Sequence, residues 1–272
     1  MYDTSFMITA VATLAVAGAI GGVISGLLGV GGGIVTVPVM FEIFGLLGID
    51  GDVRMHLAVG TSLATIIPTA ITSARAHAKR GAVDKNLMLR LGPPLFAGVI
   101  VGSFIAGPVK GQVLTAVFGT AALIVALYMA FKRDTWRLGE DLPKGVGLGA
   151  LGGSIGMLSV LMGIGGGTLG VPAMTLFNVP IHRAVGTASA LGLVVSLPGA
   201  IGFVISGWGH PNLPPLSFGY VNVMASALLL STMLLTVPIG AKLAHSISQK
   251  ALRLAFAGFL TVVATRMLLS LV

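Results

Sequence analysis

The sequence predicts an all-α integral membrane protein built from two inverted-topology repeats of about five helical segments each. Three observations carry this reading: apolar runs of membrane-spanning length along almost the whole chain, two motif blocks that recur in order at nearly one period, and Lys and Arg gathered in alternate loops. Of 272 residues, 55% are hydrophobic and 9% charged, with a mean hydropathy of +1.01. A soluble domain of ordinary composition carries about 25% charged residues, so the bilayer is the solvent this chain is made for.

The first apolar run, 5–28, has no Lys or Arg before it. It lacks the basic leader of a cleaved signal peptide and reads as the first transmembrane helix. The run 34–48 is short for a crossing, which takes about twenty residues; the runs 56–75, 88–107 and 112–131 follow at full length. The polar stretch 132–144, KRDTWRLGEDLPK, is a linker. Beyond it come 145–162, the short 168–178, then 182–205, 218–240 and 250–271. The chain therefore divides into an N-terminal membrane repeat (1–131), a polar cytoplasmic linker (132–144) and a C-terminal inverted membrane repeat (145–272). Whether each short, Gly/Pro-interrupted segment crosses fully or returns as a re-entrant hairpin stays open at this point.

A shift of 134 superposes Gly29, Gly31, Gly32, Gly33, Val37, Pro38 and Met40 on Gly163, Gly165, Gly166, Gly167, Val171, Pro172 and Met174. A shift of 126 superposes HLAVGT (56–61) on HRAVGT (182–187). Two ordered blocks at nearly one period indicate an internal duplication. If the N-terminus is outside, the cytoplasmic loops hold thirteen of the sixteen Lys and Arg residues, and the connection 206–217 holds none. That asymmetry orients both termini outward. Five segments per half is an odd number, so the second half enters the membrane upside down, as in many secondary transporters.

Glycines spaced by four, Gly18, Gly22, Gly26 and Gly145, Gly149, Gly153, read as close-packing stripes. The GVGGG and GIGGG clusters do not. Consecutive glycines point to different sides of a helix, and each costs about 1 kcal/mol of helix propensity relative to Ala. A helix break is the better reading, and in hydrocarbon a break is tolerated only when buried in protein or lining a polar cavity. A helix starting just after such a break directs unpaired N–H groups and its positive end into that cavity, which suits a small anion. The candidate substrate-binding residues are thus Gly29, Gly31, Gly32, Gly33 and Thr36, with Gly163, Gly165, Gly166, Gly167 and Thr168. Thr61, Ser62, Thr187 and Ser189, in the repeated AVGT blocks, add uncharged hydroxyl donors; bonding to their own helix carbonyls is the competing role.

Gating or coupling candidates are His56, His182, Arg54 and Arg183 at segment starts, and Glu42. Of eight carboxylates, Glu42 alone falls within an apolar run, and its repeat counterpart is Leu176. An intramembrane Glu is a functional candidate by default. A dinucleotide fingerprint is excluded because the glycine clusters are flanked by membrane segments rather than a strand and soluble sheet. With no Cys, no membrane carboxylate pair, no His/Glu metal motif and no phosphate loop, the sequence argues against an enzyme and calls for no cofactor or metal. The net charge of +8 sits in loops, so nucleic acid is not an expected partner. The expected partners are a small anionic substrate and membrane lipids, and a homo-oligomer is admitted.

GLLGVGGGIVTVP and GIGGGTLGVP, each followed by an AVGTS- or AVGTA-like block at the start of the next helix, resemble the sulfite exporter TauE/SafE family of bacterial membrane permeases. The resemblance spans nearly the whole chain. It implies a multi-pass plasma-membrane (cell inner membrane) exporter of small sulfur-containing anions such as sulfite or organosulfonates. It also implies that the two glycine segments, with Thr61, Ser62, Thr187 and Ser189, line a central site. A passive anion or weak-acid channel is the main alternative, and a membrane assembly factor using the basic loop 75–90 is a third.

Overall fold

The structure is a computed structural model that describes residues 4–28, 32–131, 136–243 and 248–271. Among these residues the chain forms α1 (Thr4–Leu28), α2 (Gly33–Leu46), α3 (Gly51–Ala78), α4 (Lys85–Ala106), α5 (Gly111–Phe131), α6 (Val146–Leu161), α7 (Gly167–Leu176), α8 (Ile181–Ser206), α9 (Val223–Leu243) and α10 (Gln249–Leu269). The described sheet is a two-residue antiparallel pair, β1 (Ser217–Phe218) with β2 (Val221–Asn222), between α8 and α9. Helices α3, α4, α5, α8 and the Val223–Gly240 part of α9 are long and apolar enough to cross a membrane. The expected all-α membrane class is what the chain adopts.

The short elements are α2, with 14 residues, and α7, with 10. At a rise of about 1.5 Å per residue neither reaches across a hydrocarbon core of about 30 Å. The second of them turns back: the Leu138 N–H in the linker donates to the Leu176 carbonyl at the end of α7 (2.8 Å). Since α6 starts from that same linker, α6 and α7 form a helical hairpin whose two ends both lie at the linker. Proline occupies the sixth position of both short helices, Pro38 and Pro172. Each removes one donor and frees the carbonyl four residues earlier, in the first turn.

Burial separates an inner set of helices from an outer one. Large exposed apolar side chains such as Ile20, Phe104, Ile124, Ile201, Leu235 and Val262 sit on α1, α4, α5, α8, α9 and α10; α3 and α7 have none, and α2 has one, at its last residue. No Lys, Arg, Asp or Glu is buried among the described residues. The outer apolar faces belong to lipid, since a water-facing patch of that extent is rare on a monomer.

Packing follows the duplication. Relabelling each helix by five positions turns the α1–α9 contact into α6–α4, α3–α9 into α8–α4 and α2–α3 into α7–α8, while α3–α8 and α5–α10 map onto themselves. Helices α3 and α8 run antiparallel, with Leu63 beside Gly199, Ala70 beside Gly192 and Ser73 beside Ser189. The α1–α9 and α6–α4 pairs run parallel and approach through glycine. A methyl on Gly18 or Gly22 would lie 2.6 Å from the Leu229 or Met233 carbonyl oxygen. On α6 the expected stripe is one residue out of register. Gly145 caps the helix with φ +56° and Gly149 has open space beside it, whereas Gly152 and Gly156 meet Pro94, Leu95 and Val99 of α4. Gly153 takes part through its backbone, against Gly98. Capping by Gly145 starts the helix at Val146, and the i, i+4 face turned to α4 is then 152/156.

Candidate functional site: the paired helix breaks

The chain leaves α6 through a Schellman turn. Gly163 takes φ +64°, its N–H donates to the Val160 carbonyl (3.2 Å), and the Ile164 N–H donates to the Ser159 carbonyl (3.0 Å). A left-handed residue at this position favours glycine because it has no Cβ. In the first half the left-handed residue is Gly32, with φ +75°, the counterpart of Gly166 rather than of Gly163, and its carbonyl accepts from Val35 and Thr36 as α2 begins. Helices α2 and α7 thus start at Gly33 and Gly167, at the expected breaks. Gly29 and Gly31 lie outside the described residues.

The two breaks touch. Gly33 packs against the Gly163 carbonyl, and a methyl there would lie 2.9 Å from Ile164 Cα. Ser62 of α3 donates to that same Gly163 carbonyl at 2.7 Å, and the Thr36 and Ser62 hydroxyls are 2.8 Å apart. Because Ser62 has one proton, already directed at Gly163, Thr36 donates to Ser62. The chain Thr36 to Ser62 to Gly163 crosses from one half to the other, and both hydroxyl residues are fully buried.

The second half is built differently. The repeat counterparts of Thr36 and Ser62 are Gly170 and Ala188, so no equivalent bridge exists. Its hydroxyl is Thr168, the second residue of α7, 2% exposed and without a hydrogen-bond partner. Gly165 and Gly166 accept from Thr168 and Gly170 as α7 begins. Sequence reasoning missed three further hydroxyls, Ser25 on α1, Ser159 on α6 and Ser196 on α8, all fully buried and without a partner. Ser25 and Ser159 carried a usable signal, since they superpose at the same shift of 134 as the glycines.

The AVGT blocks make contacts between the halves. Thr61 accepts from the Asn222 N–H (2.9 Å) and Thr187 from the Asp84 N–H (3.0 Å). Asn222 and Asp84 in turn cap α9 and α4, their side chains accepting from the N–H groups of Ala225 and Leu87 at 2.9 and 3.1 Å. Beside each threonine the glycine admits a backbone: Gly60 lies against the Tyr220 carbonyl and Gly186 against the Ala82 carbonyl. Each block is therefore a notch that holds the start of a long helix belonging to the other half. Ser189 donates to the Val185 carbonyl and accepts from Ser73 (3.2 Å), which joins α3 to α8.

Of the gating candidates, Arg183 is ion-paired with Asp84, His182 is exposed, and Arg54 lies over the Phe41 ring, 4.1 Å from its centroid. His56 is buried, with Nδ1 3.0 Å from the Asp52 carbonyl, Nε2 2.9 Å from the Ala106 carbonyl and its ring 4.8 Å from that of Tyr220. Glu42 pairs with Arg266 of α10 through two contacts of 3.0 and 3.3 Å, both side chains substantially exposed. Exposed pairs contribute little, so Glu42→Gln is expected to leave transport within roughly twofold of wild type, measured in proteoliposomes.

The Leu87 N–H holds the Asp84 carboxyl below its ordinary value, and Arg183 adds to this. A carboxylate stabilised in the folded state contributes fully above the ordinary carboxylate range, and its contribution is lost as pH falls through the depressed value. Asp84→Ala is expected to cost about 1 kcal/mol as a lost N-cap. Asp84→Asn keeps the cap and should flatten the acid limb of thermal stability below about pH 5.

The family model of Sulfite exporter TauE/SafE matches residues 14–267. The chain is 31% identical over 265 residues to a "Probable membrane transporter protein" of Haemophilus influenzae, covering 97% of this chain and 100% of the relative. It is 28% identical over 261 residues to "Probable membrane transporter protein MJ0441" of Methanocaldococcus jannaschii, with 94% of each covered. It is 30% identical over 221 residues to "Probable membrane transporter protein YunE" of Bacillus subtilis, with 73% of this chain and 79% of the relative covered. No solved structure matches. Half-length helices starting at paired glycine breaks, set among apolar helices of spanning length, agree with these matches, and the chain belongs to the sulfite exporter TauE/SafE family of membrane transporters.

Proposed function

We propose that the protein is a secondary transporter that exports small sulfur-containing anions, such as sulfite or organosulfonates, by alternating access. Residues 1–131 and 145–272 act as inverted halves joined by the cytoplasmic linker 132–144, in a bacterial plasma membrane with both termini extracytoplasmic. The observation that carries this reading is the contact of two glycine breaks, Gly33 against Gly163, each opening a half-length helix. Such discontinuous helices at the junction of two halves are how many secondary transporters present helix ends to an anion. Antiparallel α3 and α8 support inversion, and the notches at Thr61 and Thr187 supply contacts at opposite ends of the halves that open in turn.

The described residues at the breaks, Gly33, Thr36, Ser62, Gly163 and Thr168, are buried, which supports a carrier over an open channel. The test is flux of sulfite and methanesulfonate in proteoliposomes. Uptake against a gradient driven by a second ion is expected, and Gly166→Leu, which fills the start of α7 beside Leu191, should abolish it in a protein that still elutes as wild type. Flux that only dissipates the anion gradient would indicate a passive channel.

A further inference from the structure

The notch at Gly60 and Thr61 has a buried histidine beside it, and the equivalent notch at Gly186 and Thr187 does not. His56, in the second turn of α3, is 3% exposed, whereas its repeat counterpart His182 is exposed. This end of α3 is the one remote from the linker, because Gly111 at the start of α5 packs on the Gly51 and Asp52 carbonyls and α5 ends where the linker begins. In the orientation proposed above it faces the cell exterior.

Both ring nitrogens of His56 meet carbonyl oxygens, Nδ1 at 3.0 Å from that of Asp52 and Nε2 at 2.9 Å from that of Ala106. A neutral imidazole has one N–H, so one nitrogen would set its lone pair against an oxygen lone pair; the imidazolium donates to both. Ala106 is the last residue of α4, where a carbonyl has no intrahelical partner of its own. The His56 ring also lies 4.8 Å from that of Tyr220, within the range of about 6 Å over which an aromatic face attracts a cation. Tyr220 in turn seats the hairpin between α8 and α9: its N–H donates to the Phe203 carbonyl (3.1 Å), and its own carbonyl lies on Gly60. A proton on His56 thus ties α3, α4 and the Tyr220 hairpin together.

Few other ionisable groups surround the ring. Asp50, Asp52 and Arg54 share its end of α3, Lys110 lies between α4 and α5, and His210 and Tyr220 lie between α8 and α9. The last turns of α4 and α8 and the first turns of α5 and α9 have none. Asp50, Asp52 and Lys110 are exposed, Arg54 lies over Phe41, and Glu42 of α2 is paired with Arg266. His210, half-buried with its ring 5.9 Å from that of Tyr220, is the other histidine at this place.

We propose that His56 is a proton-binding site that locks the exterior face closed. The inference rests on the alternating-access reading above and adds that opening on this side requires the proton to leave. Imidazole is the side chain whose charge ordinarily changes between about pH 5 and 8, so the lock responds to external acidity. The linker-side notch is held by the Arg183–Asp84 ion pair instead, and the response is one-sided.

The test is hydrogen exchange of the hairpin 217–222, read by mass spectrometry on the full chain in lipid nanodiscs at about pH 5.5 and about pH 8 and corrected for intrinsic exchange. One released proton changes an opening equilibrium by at most about tenfold per pH unit, and opening at least about fivefold rarer at the lower pH is expected. His56→Gln, which takes no proton, should show no difference between the two, and His210→Gln should keep it. Equal opening of the wild type at both pH values, a difference that survives His56→Gln, or one that His210→Gln removes would each overturn the assignment. A check that leaves His56 in place is ring-nitrogen NMR of His210→Gln, where the histidine in contact with the Tyr220 ring should carry a proton on both nitrogens at the lower pH; a ring with a single proton would overturn the site as well. Methanesulfonate flux in proteoliposomes separates the two readings: pH-dependent exchange with no flux at either pH would sink the transport reading and leave the proton site standing.

Discussion

Replacing Ser73 and Ser189 together by cysteine is expected to give a protein that oxidation arrests and a reductant restores. The two hydroxyl oxygens are 3.2 Å apart, on antiparallel α3 and α8, and both residues are 1% exposed. Serine to cysteine keeps shape, and the chain has no other cysteine, so a disulfide formed in this double variant can only be this one or an intermolecular one. The bond would pin the linker-side ends of α3 and α8, which must part if the site opens toward the linker. Sulfite flux in proteoliposomes should vanish on oxidation and return with dithiothreitol, with each single variant as control. Undiminished flux in protein shown by mass spectrometry to carry the intramolecular bond would mean that α3 and α8 move as one body.

A large loss of stability is expected from Gly163→Ala. Its φ of +64° disfavours any L side chain by roughly 1–2 kcal/mol. The new methyl would also lie 2.8 Å from Val59 Cα and 3.0 Å from both the Val59 carbonyl oxygen and Val37 Cγ2. Overpacking adds about 1–3 kcal/mol, so a total of about 3 kcal/mol follows. Gly149→Ala is the matched control. It lies inside α6 with nothing within 4 Å of the added methyl, and should gain up to about 1 kcal/mol of helix propensity. Thermal unfolding in detergent checks both; equal effects would remove the argument that the Gly163 turn is sterically determined.

Local chemistry made the helix breaks readable in the sequence. Three adjacent glycines disfavour a helix whatever surrounds them, so the starts of α2 and α7 could be placed at Gly33 and Gly167 without knowing the fold. Hydroxyl roles were much less readable, because each depends on what another segment brings. Ser62 meets a carbonyl 101 residues away and Thr61 an amide 161 residues away, and no periodicity encodes either distance. Thus AVGT looked like a ligand-binding block, while in the structure its Gly and Thr receive the Tyr220–Asn222 and Ala82–Asp84 backbone. Glu42 likewise stood out as a lone carboxylate because its partner Arg266 is 224 positions distant. The glycine stripe on α6 was misplaced by one residue because spacing of four gives a face but not which face meets α4.

The reciprocal notches have a consequence for synthesis. Asp84, which starts α4, finds its acceptor in Thr187, 103 residues later, and Thr61 waits for Asn222. While the ribosome is still making the second half, the first therefore sits in the bilayer with Gly60 and Thr61 empty and the start of α4 undocked. Folding cannot finish from front to back. The N-terminal half inserted alone should be a protease-sensitive intermediate that becomes resistant only when the C-terminal half is supplied, in the same chain or as a separate fragment.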